Sequence, residues 1–352
     1  MRKNKIKLLI NISLALACSA LFILLLLSVI NGYSDSVLKI LISAGVGLIA
    51  VYLLNSILHE LGHLIVGLSC GLKFYSIKFL WFLVKVVNGR ITFSLERAVE
   101  LGSTVLSPNG TDKVLNKYVL SACGGLGATL ALMIVQVAVC LASKSLIAYS
   151  ALGITFPLTV YFFMVNLLPV FENCDGYLVY KYLSGGKERA IIENYFKATA
   201  LLFSGVEPSD LDSTLLMRYD GVRGYSANIR YLRYLAYVKN DEERALKELR
   251  EISDLSEISN LNDEIFEELF FSAILLNDKK FIKANEQSAL AVFERPARPQ
   301  TYRIHASYRI WSGEKDWAKL ILSSGIKFCD DYAVKGIAKS EKSYMQLMLK
   351  NV

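Results

Sequence analysis

The sequence predicts a mainly α-helical, polytopic membrane protein. It should have about four transmembrane helices, a small membrane-associated β-hairpin and a cytoplasmic α-helical repeat domain. Three observations predict this. Of 352 residues, 53% are hydrophobic and the mean hydropathy is +0.38, more apolar than a water-facing surface tolerates. The charge is uneven: Lys and Arg outnumber Asp and Glu 14 to 7 up to Ser184, and the totals of 39 and 32 leave 25 against 25 beyond it. The apolar excess is gathered into runs near the ~20 residues that cross a bilayer, and the remainder reads as amphipathic helix. The expected divisions are an anchor helix over 1–36, a membrane core over 37–184 and a helical domain over 185–352.

The first apolar run, Leu8 to Ile30, follows the basic stretch MRKNKIK. It exceeds the roughly 7–15-residue core of a signal peptide and is expected to remain as an anchor. The second run lies within Val37 to Leu72, the third covers Tyr118 to Ala142, and the fourth Leu146 to Leu168. Basic residues mark cytoplasmic segments. MRKNKIK and the connection bearing Lys73, Lys78, Lys85, Arg90, Arg97, Lys113 and Lys117 therefore place both termini in the cytoplasm. A short N-terminus without an organelle signal suits a bacterial plasma membrane. Because these cations flank apolar runs and form no stripe that could track phosphates, nucleic acid is not the expected partner. The six cysteines are scattered without a C-x-x-C pair, which excludes a disulfide framework and a four-cysteine zinc site. Cys174, beside Asp175, is the one placed to compete for a metal.

Between the second and third runs, KFYSIKFLWFLVKVV and RITFSLE flank Asn88-Gly89. β-branched and aromatic residues around such a pair predict a hairpin over 73–97. With no charge from Phe79 to Val84, it should touch the membrane surface. Beyond Gly185, three stretches share a helix–turn–helix pattern: AYVKNDEERALKEL, AILLNDKKFIKANE and HASYRIWSGEKDWAKLIL. Their turns at Asn240, Asn277 and Gly313 step by 37 and 36 residues. They are similar to tetratricopeptide-like helix pairs, whose period is about 34, and RPARP at 295–299 marks a break between units.

Chemistry concentrates in the second run, in SILHELGHLIVGL. His59 and His63 are four residues apart, so on a helix both rings project from one face. Glu60 stands close enough to reach a water on an ion they share. This is the H-E-x-x-H arrangement in which two histidines bind zinc and the glutamate is a general base. The chain has three histidines, and with so few a chance match is on the order of one in a thousand. An ionisable residue inside a membrane span is itself a sign of function. A hydrolytic zinc site needs a third protein ligand. Asp175, in NLLPVFENCDGY after the fourth run, is the leading candidate, because the second and fourth runs both end on the cytoplasmic side. Glu172 is the alternative and Asp112 a distant third, while His305 belongs to the helical domain. Pro169 must break its helix, and Gly176 permits a tight path beside Asp175.

HELGH in one span, with NLLP and a DG pair after a later one, resembles the site-2 protease family of intramembrane metalloproteases. That family carries H-E-x-x-H followed by N-x-x-P-x-x-x-x-D-G. The resemblance covers about Val37 to Tyr182 and includes the strand-rich segment and the small-residue stretch SACGGLGA. It implies His59, His63 and Asp175 as ligands to Zn2+, Glu60 as catalytic base and Asn166 as a polar active-site residue. It also implies a membrane-embedded protein or peptide as substrate, cleaved in or near a spanning segment. Three departures stand out. Pro169 and Asp175 are separated by one residue more than in the family pattern, SACGGLGA lacks that segment's proline and asparagine, and the connection is too short for a PDZ-like insertion. Gly124, Gly125 and Gly127 should let the third span approach its neighbours closely, and an edge of the hairpin could hold an extended substrate. The competing reading is a catalytically inactive membrane adaptor whose repeats recruit a cytoplasmic partner, and the repeats could serve the enzyme in the same way. A transporter or immunity-type protein is a third class, with little polar pathway to support it.

Overall fold

In hydrocarbon every backbone N–H and C=O must be paired within the chain, and the apolar runs meet that demand as helices. The computed structural model describes residues 2–33, 36–87, 90–95, 102–143, 145–170, 174–217, 225–239, 241–253, 262–294 and 298–352. Contacts divide the chain into two units. One comprises Met1–Val86, Ile91–Ser107 and Asn116–Gly185; the other comprises Val87–Arg90, Pro108–Leu115 and Gly186–Val352. The main division falls between Gly185 and Gly186, both in left-handed backbone with φ of 67° and 64°.

In the first unit, α1 (Arg2–Gly32), α2 (Val37–Ser69) and α3 (Val114–Ala142) are continuous helices. Four helical segments are long and apolar enough to cross a membrane: Ile6–Gly32, Val37–Ser69, Val114–Ala142 and Leu146–Leu167. The fourth matches the expected run from Leu146 to Leu168 but is not α-helical throughout. It consists of α4 (Leu146–Ala148), a π-helical turn at Tyr149–Gly153 and α5 (Phe156–Leu167). Pro157 cannot continue a helix, since it has no N–H and its ring would meet the carbonyl four residues back. It sits instead in the first turn of α5, where its fixed φ is suited to starting a helix. Gly47 of α2 lies so close to the Ala151 carbonyl that a Cβ would overlap it. α1 packs on α5, and the Tyr161 hydroxyl donates to Asn11 Oδ1 at 2.9 Å.

The expected two-stranded hairpin is a four-stranded sheet. Its strands β1 (Lys73–Phe79), β2 (Phe82–Val87), β3 (Arg90–Leu95) and β4 (Gly102–Ser107) lie in the order β3-β2-β1-β4. The run KFYSIKFLWFLVKVV folds back on itself between Phe79 and Phe82, which pair across the turn. Leu80 takes a φ of 53° there. Leucine is rare in left-handed backbone, so the sequence gives no turn signal at that point. Asn88-Gly89 lies outside the described residues, although the strands on either side of it are neighbours. β4 runs antiparallel to β1 from Lys73↔Ser107 to Phe79↔Gly102. This makes β4 one edge of the sheet and β3 the other. Trp81, Phe82, Ile91, Phe93 and Leu95 are exposed.

The second unit contains α7 (Gly186–Ser204), α8 (Tyr225–Tyr237), α9 (Glu242–Ser253), α10 (Asn262–Leu275), α11 (Lys279–Phe293), α12 (Pro299–Trp311), α13 (Lys315–Asp331) and α14 (Lys335–Asn351). Helices 8 and 9, 10 and 11, and 12 and 13 pack as consecutive pairs. Two of the three turns aligned in the sequence are built alike. Asn277 and Gly313 both have positive φ, 53° and 86°. Asn277 N–H donates to Ile274 O and Asp278 N–H to Ala273 O; Gly313 N–H donates to Ile310 O and Glu314 N–H to Arg309 O. Both are the bond pairs of a Schellman cap. Asn240 lies outside the described residues, as do residues 295–297 of RPARP.

Arg303 of α12 is fully buried. Its Nε donates to Glu341 of α14 at 2.8 Å, its Nη2 to Glu268 of α10 at 2.8 Å, and its guanidinium lies 4.2 Å from the Phe271 ring centroid. Removing one partner of a buried pair leaves an uncompensated charge. Arg303→Met should therefore destabilise this unit by about 3–5 kcal/mol in chemical denaturation of the full chain followed by tryptophan fluorescence. A midpoint matching the unsubstituted protein would show that the network is not what holds these three helices.

Candidate metal centre

A four-residue spacing on α2 sets His59 and His63 one turn apart, with their ring centroids 4.6 Å from each other. α3 passes very close to this stretch, because Gly62 and Gly124 each leave no room for a Cβ against the other's carbonyl. The approach gives each imidazole a fixed second bond. His63 Nδ1 lies 2.8 Å from Ser121 O, a carbonyl that can only accept, so this nitrogen carries the proton. His59 Nδ1 lies 3.1 Å from Thr129 Oγ1, whose own hydroxyl donates to Gly125 O at 3.2 Å. That oxygen therefore accepts from His59. With Nδ1 assigned as the protonated nitrogen from the bonding network, both rings turn Nε2 toward the same point, where a neutral ring offers a lone pair.

The third group reaches that point from α6 (Asp175–Ser184). Gly176 sits against Leu167 O, where a Cβ would overlap the carbonyl, so the first turn of α6 folds back onto the end of α5. Asp175 Oδ2 then stands 3.1 Å from His59 Nε2 and 3.4 Å from His63 Nε2, and the two Nε2 atoms are 3.1 Å apart. Oδ2 is buried and receives no hydrogen bond among the described residues. Three electron-pair donors facing one another, with an orphaned carboxylate oxygen among them, fit a cation. Ligand arms of 2.0–2.1 Å at the tetrahedral angle end about 3.3–3.4 Å apart, close to the three separations found. Among the described residues, His59, His63 and Asp175 form a cluster that could hold a metal ion.

The centre opens on a cavity of about 470 Å³, and Glu60 and Asn166 also line it. Glu60 is 8% exposed. Its backbone carbonyl accepts from Thr104 Oγ1 of β4 at 3.1 Å, and Gly102 packs on its side chain, where a Cβ would lie 2.8 Å from Cγ. Asn166 Nδ2 donates to Phe162 O at 3.1 Å. Glu172, the alternative third ligand, lies outside the described residues. Asp112 is exposed. Cys174 adjoins Asp175 but is not part of the cluster. Burial, and then the Asp175 charge, push its thiol up to about 11. His305 stacks on Phe293 with centroids 4.5 Å apart. Burial, and then Arg309, push it down to about 4, so it is a neutral ring in the second unit.

Sequence reasoning missed the two anchors, Ser121 and Thr129, and missed β4 as a wall of the cavity. Thr129 left a trace as a hydroxyl in a stretch of small and apolar residues, four places after Gly125. The three glycines of α3 divide by role. Gly124 meets α2, and Gly125 faces the rings, where a Cβ would lie 2.5 Å from His63 Nε2. Gly127, expected to assist close approach, faces open space.

Partners that orient a metal-binding imidazole are typically worth about 10–100-fold in metal affinity. Thr129→Val should weaken metal binding by about that factor. Gly125→Ala should reduce the metal content of the purified chain, and Gly127→Ala should not. Equal metal content in both glycine variants would remove Gly125 from the centre. Comparison of the chain with protein-family models, curated proteins and solved structures finds no match in any of the three.

Proposed function

We propose that the chain is a zinc-dependent endopeptidase that cleaves a peptide bond in or near a membrane-spanning segment of a protein or peptide substrate. The observation that carries this reading is the convergence of His59 Nε2, His63 Nε2 and Asp175 Oδ2 at one point on a cavity that Glu60 shares. Two imidazoles and a carboxylate, with a fourth side open to a cavity, are the donor set of hydrolytic zinc sites. When bound, the ion supplies a Lewis acid for the scissile carbonyl and acidifies water.

The chain's own residues supply the rest. Glu60 takes the proton of the attacking water on its carboxylate and returns it to the leaving amine. Ser121 and Thr129 hold the rings in the tautomer that leaves Nε2 free. A substrate helix has its peptide bonds paired internally and must open before attack. The edge strand β4, whose Gly102, Ser103 and Thr104 line the cavity, offers backbone against which an opened segment can lie as an added strand. The second unit is read as a cytoplasmic module for a protein partner, with stacked helix pairs suited to peptide binding, and the membrane as a bacterial plasma membrane.

Two substitutions test the assignment. Glu60→Gln should retain one zinc per chain and lose cleavage by at least about 100-fold, the lower range for a positioned general base. His59→Ala should lose the metal itself, read by elemental analysis of the purified protein. Cleavage undiminished in Glu60→Gln would refute the base. Tightly bound metal without any cleavage would favour the inactive adaptor.

A further inference from the structure

Gly102 begins β4 and lies directly on Glu60. A Cβ at Gly102 would stand 2.8 Å from Glu60 Cγ, 3.1 Å from Glu60 Oε1 and 2.9 Å from Ser56 Oγ. Ser56 and Glu60 are one turn apart on α2, and both line the cavity together with Gly102. Glycine weakens a strand, and its presence in one marks a bulge, a bend or a close approach. Gly102 stands in register opposite Phe79 and its φ is outside the left-handed region, so the close approach is what calls for it. Its neighbours also differ from those at the helix contact. Gly62 and Gly124 meet each other's carbonyls, whereas Gly102 meets two side chains of the cavity.

The strand is fastened on three sides. Thr104 Oγ1 donates to Glu60 O of α2 at 3.1 Å, and the Tyr118 hydroxyl of α3 donates to Leu106 O at 2.7 Å. The Leu106 side chain fills the notch at Gly67, where a Cβ would overlap it, and β1 pairs with β4 as far as Gly102. A glutamate side chain, by contrast, turns freely about its single bonds. A methyl group at position 102 would therefore displace the carboxylate arm and leave the strand in place. Carbon atoms rest about 3.5–4.0 Å apart, so Cγ would retreat by about 0.7 Å or more. A misplacement on the order of 1 Å can cost about 100-fold in rate. Resting on the hydrolase reading of the cavity, we infer that Gly102 is a positioning residue for Glu60. Bare backbone at this point of β4 fixes where the carboxylate stands beside the three ligands, so one strand sets both the base and a wall of the cavity.

The test uses the full-length, zinc-loaded protein in detergent with acetohydroxamate as probe. A hydroxamate on zinc gives its hydroxyl proton to a neighbouring carboxylate, so its affinity reads the placement of the base without any turnover. Glu60→Gln should weaken binding by at least about tenfold, the worth of one hydrogen bond to a charged group. Gly102→Ala should keep one zinc per chain and also weaken binding about tenfold, yet add no further loss in the Glu60→Gln background, as coupled residues do. Ser56→Gly, which frees the other side of the added methyl, should recover part of the affinity lost in Gly102→Ala. Unchanged affinity in Gly102→Ala would overturn the inference, as would an equal further loss in the Glu60→Gln background or no recovery with Ser56→Gly. Zinc lost from Gly102→Ala would overturn it too, because β4 would then be supporting the ligands and not the base. If the unsubstituted protein does not bind acetohydroxamate, or Glu60→Gln binds it equally well, it is the hydrolase reading that fails, a result distinct from any of these.

Discussion

Two imidazole lone pairs and a buried carboxylate oxygen, held within 3.4 Å of one another, repel unless a positive charge lies between them. In a site where all three side chains are at most 15% exposed that repulsion is little screened, and the backbone must be stiff enough to impose it. Its stiffness comes from small residues. Gly62 and Gly124 bring α2 and α3 into backbone contact, Gly125 clears the space in front of the rings, and Gly176 presses the start of α6 onto the end of α5. Each position lacks room for even one methyl group. The convergence therefore depends as much on what these residues lack as on the three ligands.

The same economy governs the irregular backbone. Span four breaks into a π-helical turn ahead of Pro157 and ends before Pro169, and at both places a neighbour fills the gap. Gly47 of α2 receives the Ala151 carbonyl, and Gly176 meets the Leu167 carbonyl. Departures from regular helix survive in apolar surroundings where protein encloses them. The second of them is followed by α6, whose first residue, Asp175, stands at the centre. The sheet follows a related logic. β4 is paired on one side with β1, and its Thr104 hydroxyl ties it to the Glu60 carbonyl on α2, which sets an edge strand against the cavity.

The second unit solves its packing by different means. Its helices are short and amphipathic, and two turns end in the same pair of bonds around a left-handed residue. Apolar clusters fill the space between pairs, and the buried ion network of Arg303, Glu268 and Glu341 joins three helices at its centre. Such a network contributes little net stability compared with apolar packing. It does penalise any arrangement that parts its members, and so specifies the packing.

Much was legible in the chain alone, because much was local. Four apolar runs determine four membrane-length helices through backbone pairing alone, and a spacing of four determines that His59 and His63 share a face. The turns at Asn277 and Gly313 were readable from residues that tolerate left-handed backbone. What sequence reasoning could not reach depended on contacts between distant segments. Asp175 is 112 residues from His63, and its approach rests on Gly176 meeting a carbonyl of α5. Ser121 and Thr129 fix the ring tautomers only because α3 passes α2 at glycine distance. The turn at Leu80 and the pairing of β4 carry no local signal, since neither a left-handed leucine nor an edge strand is favoured by its own residues. The sequence by itself determined which groups could bind a cation and at what spacing along one helix. Only the tertiary structure decided that three of them meet, because that meeting is set by how closely separate backbones can approach.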